Sequence, residues 1–439
     1  MKHRSVCFLM VVALAGPGFA QNEGTKPRYA PAPEERQLPR AMHSAMQDLP
    51  VIRVGQREGD ITGADNRALQ AAVDYIAGLG GGTVEIGEGV YLMRDSLHLR
   101  SGVTVRGLGE RTVLRKAPAA ISQMALDGDF GEEQITLVNP EGFTVGAGVA
   151  IWDKNAGGFH TTVARITGRR GNTFSISRPL MADCMVADGA QAATVFPVVS
   201  GYDLENARIE QITVDGAREL NPNLNGCRGA GIFLYRAFGT VIDRCVVRNY
   251  NGDGISFQQS NDVQVLACVS ENNAGLGLHP GSGSQRPIVR NCIARRNGED
   301  GLFLCWRVRH GLFEGNELVE NGRHGISIGH KDSDNLLRKN TVRGNSSHGV
   351  YFRNETEGMA GHRNRLEENR IEDNGKRDAG AGIFIDGETG GVILVQNTIR
   401  NQRTGIRLGP RAGTVTIERN QIIAERAIDD RRSAKEGRE

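Results

Sequence analysis

The chain has 439 residues, enough for two ordinary domains or one elongated domain. Its formal net charge of +2 falls by two to zero when Lys2 and Arg4 leave with the signal peptide predicted below, so charge favours neither a nucleic-acid partner nor a membrane surface. Glycine is abundant, at 58 residues, and aromatic residues make up only 5%, which is typical of a chain that turns often and sharply.

The first twenty residues predict a secretory signal peptide. Basic residues precede the apolar run VCFLMVVALAG, and small residues near Ala20 offer a cleavage point. The run is too short to cross a bilayer, so we expect an exported protein, secreted or periplasmic, with no membrane span. Residues 21–50 carry several prolines among charges and predict a flexible leader.

A helix is predicted after the leader. Asp65 can cap it, it runs through Gly78, and one face carries Leu69, Val73 and Ile76. Such a helix would close the open end of a stacked β-structure, whose first strands otherwise expose their edges.

Residues 140–200 contain alternating runs of a different kind. TVGAGVAIWD reads as one strand, and TTVARITGRRGNTFSISRPL reads as a hairpin that turns at RGN. We expect a small antiparallel sheet that flanks the main domain and walls a groove.

The rest of the chain is a repeat. Each row opens with glycine–apolar–x–apolar, passes through a polar turn, and ends in a second alternating run near an asparagine; examples are GDGISFQQSNDVQVLACVSENNA and HGISIGHKDSDNLLRKNTVRGNSS. Alternation in two short segments predicts two strands per row, and the rows are about 23 to 29 residues long.

One row cannot bury its own apolar stripe, so neighbouring rows must stack in parallel and in register. We therefore predict an all-β fold, a right-handed parallel β-helix over residues 51–426, with a charged tail at 427–439. The expected inward columns are Ile255, Leu276, Leu302, Ile326 and Val350, and then Phe257, Leu278, Leu304, Ile328 and Phe352.

The cysteines fit the same repeat. A column of Cys245, Cys268 and Cys292 continues as Asn316, Asn340, Asn369, Asn397 and Asn420. Inward asparagines at a turn can form an amide ladder, and the small thiol suits the same position. We favour free stacked thiols, although six mature cysteines in an exported chain leave disulfides open. Cys184, Cys227 and Cys305 lie outside the column.

The segment DNRALQAAVDYIAGLGGGTVEIGEGVYLM, followed by GVTVRGLG, resembles the start of many pectate-lyase-like β-helix proteins with repeats of the PbH1 type. Together with the rows, the resemblance covers roughly residues 55–425. It implies the fold but no single reaction, because that superfamily contains lyases, hydrolases, epimerases and non-enzymes.

A narrower resemblance links NGDGIS, EDGLFL, RHGISIG and GVYFRN to motifs of polygalacturonase-type glycoside hydrolases. It implies catalytic roles for Asp253, Asp300 and His324. Tyr351 and Arg353 fall where that family has the Arg and Lys that hold the substrate's carboxylate. The sequence departs from the family in an extra row that carries His279 and in the Glu that replaces the first aspartate of the second motif.

Titratable residues concentrate on the outer face of the middle rows. The residues directly before the repeated glycine are Asp253, Ala274, Asp300, His324, His348, Ala381 and Thr404. Stacked coils place successive members about 4.8 Å apart. Each of these titratable residues, taken alone, has an ordinary structural explanation, but their concentration in consecutive rows predicts a functional groove. Expected substrate contacts are His279, Tyr351 and Arg353 on the strand, and Trp306, Arg307, His330 and Lys331 in the adjoining turns.

The function expected first is inverting hydrolysis of an acidic polysaccharide. Asp253 and Asp300, two coils apart, would lie about 10 Å apart along the axis. That distance is near the wide end of the ~6.5–9.5 Å range of inverting carboxyl pairs. His324 and His348 would complete the catalytic group.

Two alternatives remain open. One is β-elimination or epimerisation of a polyuronate, with His324 or His348 as base, Tyr351 as acid and Arg353 or Arg307 as the neutralising cation. The other is a non-catalytic β-helix that binds glycan or a partner surface through Trp306, Phe303 and Tyr351. The sequence contains no compact Asp/Glu cluster of the calcium-loop type, so no metal or other cofactor is expected.

Overall fold

The computed structural model describes residues 48–375 and 380–432. The predicted signal peptide and all but the last three residues of the predicted leader lie outside the described residues. The tail predicted for 427–439 begins inside a strand, Gln421–Asp430, and its last seven residues are also outside the described part.

Successive coils stack in parallel, which confirms the predicted β-helix. One coil contains the strands Asp253–Gln258, Gln264–Leu266 and Val269–Glu271, and each pairs with its counterpart in the next coil. The coil therefore has three strands where two were predicted. The second alternating run is split because Ala267 adopts a left-handed backbone, with φ 49°, and turns the chain.

The parallel sheet contains 31 strands in the described residues. They are Val51–Gly55, Ile61–Thr62, Gly82–Ile86, Gly89–Met93, Leu97–His98, Val103–Lys116, Val199–Glu205, Arg208–Asp215, Ala230–Phe238, Val241–Asp243, Val246–Arg248, Asp253–Gln258, Gln264–Leu266, Val269–Glu271, Leu278–Gly281, Ile288–Arg290, Ile293–Arg295, Leu302–Phe303, Leu312–Glu314, Glu317–Val319, Ile326–Ile328, Leu336–Arg338, Thr341–Arg343, Val350–Phe352, Arg365–Glu367, Arg370–Glu372, Ala381–Ile385, Val392–Val395, Thr398–Leu408, Val415–Glu418 and Gln421–Asp430.

The predicted register is wrong by two residues in a single coil. Leu278, not Leu276, pairs with Ile255 and with Leu302 in the inward column. Gly277, and not Gly275, aligns with the repeated glycines of the other rows. The residue directly before the repeated glycine in this row is therefore Leu276, where Ala274 was predicted. A shift by two preserves which side chains face inward, so alternation alone could not detect it.

The polar ladder is present at the predicted corner. Asn316, Asn340, Asn369, Asn397 and Asn420 are joined by amide–amide hydrogen bonds of 2.9 Å between successive members. The six cysteines of the described residues are all free thiols, as we favoured. Asn273, Asn297, Asn321, Asn345 and Asn374 form a second ladder that the sequence analysis did not identify.

The N-terminal helix, Asn66–Gly78, begins and ends as predicted. Asp65 caps it by accepting a 3.0 Å hydrogen bond from the backbone N–H of Arg67. Leu69, Val73 and Ile76 are fully buried against the first coils. Within the described residues, no helix combines the length and the apolar character needed to cross a membrane.

The flanking antiparallel sheet is also confirmed, and it begins earlier in the chain than predicted. The predicted hairpin forms from Thr162–Arg170 and Thr173–Ile176. The six strands are Ile121–Gln123, Gln134–Thr136, Gly148–Trp152, Thr162–Arg170, Thr173–Ile176 and Gln191–Ala193. Arg165 of this sheet and Tyr202 of the β-helix both line a cavity of about 270 Å³.

Candidate functional site

Asp300, His324 and His348 occupy one column on the outer face, as predicted. Each side chain accepts a hydrogen bond from a backbone N–H of the next coil. Asp300 Oδ1 accepts from His324 N at 2.8 Å, His324 Nδ1 from His348 N at 3.2 Å, and His348 Nδ1 from Ala381 N at 2.9 Å. A histidine before the repeated glycine therefore closes the corner between coils. Because Nδ1 is the acceptor, the neutral ring carries its proton on Nε2.

The two aspartates expected to act as acid and base are engaged inside the protein. Asp300 is fully buried and accepts two hydrogen bonds from Arg323, at 2.9 and 2.6 Å. Asp253 is 5% exposed; its Oδ1 accepts from Leu276 N at 2.9 Å, and its Oδ2 lies 2.7 Å from His279 Nδ1. Neither carboxylate is presented to a groove, in contrast to the arrangement expected for a hydrolytic pair.

The two-residue shift explains the position of His279. His279 pairs with Ser256, whereas the predicted alignment placed it opposite Gln258. In the observed register its ring turns toward Asp253. Burial alone would lower the pKa of His279, but the hydrogen bond with Asp253, assisted by the Cys305 thiol, outweighs it and raises the pKa to about 10. His279 is thus an imidazolium paired with a buried carboxylate, which is a structural role.

Glu299 is the solvent-facing carboxylate next to this buried pair. Its side chain is half exposed and lies 3.7 Å from Arg323. Burial, together with the charges of Asp253 and Asp300, raises its pKa despite the opposing guanidinium. Glu299 directly precedes Asp300 in the sequence, and that adjacency is the signal that could have identified it.

An aromatic stack forms the centre of the outer face. The rings of His324 and His348 are nearly parallel, at 3°, with centroids 5.3 Å apart. Tyr351 packs against both, at 4.8 and 5.3 Å, and Phe384 lies 5.5 Å beyond Tyr351 in the next coil. Three of the predicted site residues are therefore brought together, and Phe384 joins them.

Two groups of the stack, His348 and Tyr351, are uncharged at neutral pH. Burial, with contributions from His324 and Arg407, lowers the pKa of His348 to about 3. Burial and the neighbouring Asp386 carboxylate raise the pKa of Tyr351, whose hydroxyl lies 3.5 Å from Asp386 Oδ2. These two side chains consequently offer hydrogen-bond donors that carry no charge.

Arg353 reaches from the Tyr351 strand back across two coils. Its Nη1 donates to Ser327 Oγ at 2.9 Å and its Nη2 to Leu304 O at 2.8 Å. Its guanidinium carbon lies 4.4 Å from the centre of the Phe303 ring. Arg353 thus supplies a positive charge beside the aromatic stack, held by backbone and ring contacts.

Glycine and a buried carboxylate make this path possible. At Gly329 a β-carbon would lie 2.5 Å from Arg353 Nε, so a side chain there would block the arginine. Asp332 Oδ2 lies 3.1 Å from Arg353 Nη2. Burial raises the pKa of Asp332 to about 7 against the pull of Arg353. Neither residue was predicted to take part.

The remaining predicted contacts lie in two consecutive turns. Trp306 stacks on His330, with ring centroids 5.0 Å apart, and His330 Nε2 lies 2.9 Å from Glu355 Oε1. Burial and Arg353 lower the pKa of His330. The turns themselves use left-handed residues, including Arg307 at φ 68°. Lys331, at φ 67°, holds its turn by donating from its backbone N to Met359 O at 2.6 Å.

The likeness to known proteins is at the level of the fold. Residues 205–404 match the family model described as "Periplasmic copper-binding protein (NosD)". Over 87% of this chain and all of the other, the structure superposes on the A-module of mannuronan C-5 epimerase AlgE4 from Azotobacter vinelandii, with a TM-score of 0.54 and 16% identity. The chain is a parallel β-helix protein. A polygalacturonase from Erwinia carotovora gives a TM-score of 0.51 at 13% identity, with 88% of this β-helix and 98% of that enzyme covered.

One curated relative matches in sequence over a short segment. Mannuronan C5-epimerase AlgE3 of Azotobacter vinelandii is 30% identical over 89 residues, which is 20% of this chain. The matched segment spans only 5% of that relative's length. The sequence match therefore covers a small part of both proteins.

The family description raises the question of a copper site. Across residues 48–375 and 380–432, no group of three or more His, Cys, Asp or Glu side chains is placed to hold one ion. The thiols of Cys268 and Cys292 donate to core carbonyls at 3.3 Å, while His324 and His348 direct Nδ1 to backbone N–H groups. These residues do not fit a copper centre, so no step below involves a metal.

Proposed function

We propose that this protein acts on an acidic polysaccharide and removes the C5 proton of a uronate residue at Tyr351, which leads to elimination or epimerisation. The observation that carries the proposal is the stack of His324 and His348 against Tyr351, with Arg353 beside it. The similar folds of a mannuronan epimerase and a polygalacturonase support a polyuronate as the substrate class. The predicted signal peptide supports a site of action outside the cytoplasm.

Hydrolysis by two carboxyl groups is the less favoured reaction. Such hydrolysis needs one carboxyl group to protonate the leaving oxygen and a second to activate water or attack the sugar. The carboxylate oxygens of Asp253 and Asp300 are all engaged in hydrogen bonds inside the protein. Of the three carboxyl groups in the motif segments, Glu299 is the one left, and it supplies only one member of the required pair.

The proposed chemistry starts with the substrate carboxylate. Removal of the C5 proton places negative charge on that carboxylate, and hydrogen-bond donors there lower the barrier. Neutral His348 carries its proton on Nε2 and so can donate a hydrogen bond without losing that proton, while Arg353 adds positive charge. This donor role differs from the general-base role expected from the sequence, because Nδ1 already accepts a backbone N–H in both rings.

Tyr351 is the residue we place at the reacting carbon. Asp386, 3.5 Å from its hydroxyl, can take up the phenol proton while the phenol oxygen accepts the proton from C5. Transfer of a proton from solvent water to the opposite face of C5 gives the epimer, and the proton held by Asp386 neutralises the hydroxide that is left. Alternatively, the bond between C4 and its oxygen breaks and the Tyr351 hydroxyl passes the proton taken from C5 to that oxygen, while Asp386 returns its proton to the phenol; the products are an unsaturated sugar and a new chain end.

The test is a panel of plant and algal polyuronates, with unsaturated ends, reducing ends and C5 configuration measured separately. Tyr351→Phe keeps the ring and removes the hydroxyl, so elimination or epimerisation should fall at least ~100-fold. Tyr235→Phe, the same change on an earlier outer-face strand, is the matched control and should retain activity. Reducing ends without unsaturation would establish hydrolysis instead, and binding with no chemical change would establish a glycan-binding protein.

A further inference from the structure

The last two coils form a concavity rich in arginine. It lies between the strands Thr398–Leu408 and Gln421–Asp430 and has a volume of about 570 Å³. Its charged lining consists of Arg403, Arg407, Arg426, Arg431, Glu425 and Asp429. Four arginines against two acids leave a formal excess of two positive charges.

One nearly buried carboxylate organises the arginines. Asp429, 9% exposed, lies 3.3 Å from Arg407, 3.0 Å from Arg426 and 2.8 Å from Arg431. The hydrogen bond from Arg431, with help from Arg426, lowers the pKa of Asp429, so this carboxylate stays charged. One negative charge cannot neutralise three guanidinium groups. The outward-facing donors of Arg426 and Arg431, whose side chains are 64% and 54% exposed, remain available to an anion.

The concavity continues the column that contains Tyr351. Tyr351, Phe384, Arg407 and Asp429 are paired in successive coils. Arg407 is therefore two coils beyond Tyr351, roughly 10 Å along the axis. Its guanidinium carbon lies 5.5 Å from the centre of the Phe384 ring, and its charge helps to lower the pKa of His348. The positive potential thus extends from the concavity to the aromatic stack.

We infer that this arginine cluster is a subsite that binds carboxylate groups of the same polysaccharide chain whose uronate reacts at Tyr351. The inference rests on the proposed function, since it assigns the cluster to that substrate. A guanidinium pairs with a carboxylate through two parallel hydrogen bonds, and Asp429 already orients three of the four groups. The subsite selects chains with acidic residues on one side of the reacting sugar.

The test uses the full-length protein and defined oligomannuronates and oligogalacturonates. Arg403→Gln combined with Arg426→Gln should raise Kd at least tenfold for these acidic ligands and leave binding of their carboxyl-reduced forms unchanged. The matched control is Arg411→Gln with Arg432→Gln, which removes the same charge from ion pairs with Glu388 and Asp430. Its Kd should stay within twofold of the wild-type value.

An unchanged Kd in the first double variant, or an equal loss in the control, would overturn the inference. If the double variant fails to fold, the same binding measurement is made with Arg403→Glu, which changes a single exposed residue. The two proposals fail separately. If no C5 chemistry is detected but binding depends on Arg403 and Arg426, the subsite stands and the reaction at Tyr351 falls. If Tyr351→Phe abolishes chemistry while the arginine variants bind normally, the reaction stands and the subsite falls.

Discussion

Replacement of Asn340 by alanine tests the amide ladder that holds the coils in register. Its side-chain oxygen accepts two hydrogen bonds of 2.9 Å from Asn316, and its amide nitrogen donates to Phe313 O and Asn369 Oδ1, also at 2.9 Å. Alanine removes all four and leaves the partner groups buried. At about 1 kcal/mol per lost bond, the free energy of unfolding should fall by about 4 kcal/mol.

Two companion variants make the ladder prediction specific. Asn420→Ala removes the last, half-buried member, where water can replace the lost bonds, so we expect a cost of about 1 kcal/mol. Asn340→Cys should cost less than Asn340→Ala, because Cys268 occupies the same column and its thiol accepts from Cys245 N at 3.4 Å. Urea unfolding followed by circular dichroism gives the energies, and hydrogen exchange reports local opening, since long repeats need not unfold in one step. Equal costs at Asn340 and Asn420, or a cysteine no better than alanine, would refute the reasoning.

Three further predictions follow from buried titratable groups. In the folded protein His279 has a pKa of about 10, above its ordinary value. Its stabilising contribution is therefore complete below about pH 6.5 and is lost as the pH rises through 10. In His279→Gln, the part of the decrease in Tm at alkaline pH that comes from this histidine should disappear. Burial lowers the pKa of Lys116 to about 7, so stability should rise between pH 7 and 10.5, and Lys116→Met should flatten that rise. Unfolding in denaturant should expose the thiols of Cys184, Cys227, Cys245, Cys268, Cys292 and Cys305 to alkylation without reductant, and a mass corresponding to a disulfide would contradict the free-thiol assignment.

Much of the fold could be predicted because each coil repeats the same local chemistry. The recurring glycine–apolar–x–apolar motif predicted that the coils stack in parallel, and Asp65 predicted where the helix begins. The register of the coil that contains Leu276 could not be predicted, because GLGL offers two glycines two residues apart and both keep the apolar side chains inside. The third strand of each coil was not predicted either, because nothing in the side chain of Ala267 indicates that its backbone is left-handed.

The candidate site could be predicted in position but not in role. The column of Asp300, His324 and His348 follows from the repeat alone. That these side chains accept backbone N–H groups depends on hydrogen-bond geometry, which a spacing rule does not contain. The catalytic role of Asp253 was expected from the motif resemblance, and its pairing with His279 could not be predicted because His279 was assigned to the wrong strand position. Tyr351 gains its significance from Phe384 and Asp386, which belong to a row that resembles the others in sequence.

The most direct test of the central claim is deuterium incorporation at C5. Polymannuronate and polygalacturonate are incubated with the protein in D₂O, and the C5 position is followed by NMR. We predict that the wild-type protein and Tyr235→Phe introduce deuterium at C5 or form C4–C5 unsaturated ends, whereas Tyr351→Phe does neither. A polymer that is bound or cleaved while every C5 position keeps its proton and its configuration would contradict proton exchange at Tyr351.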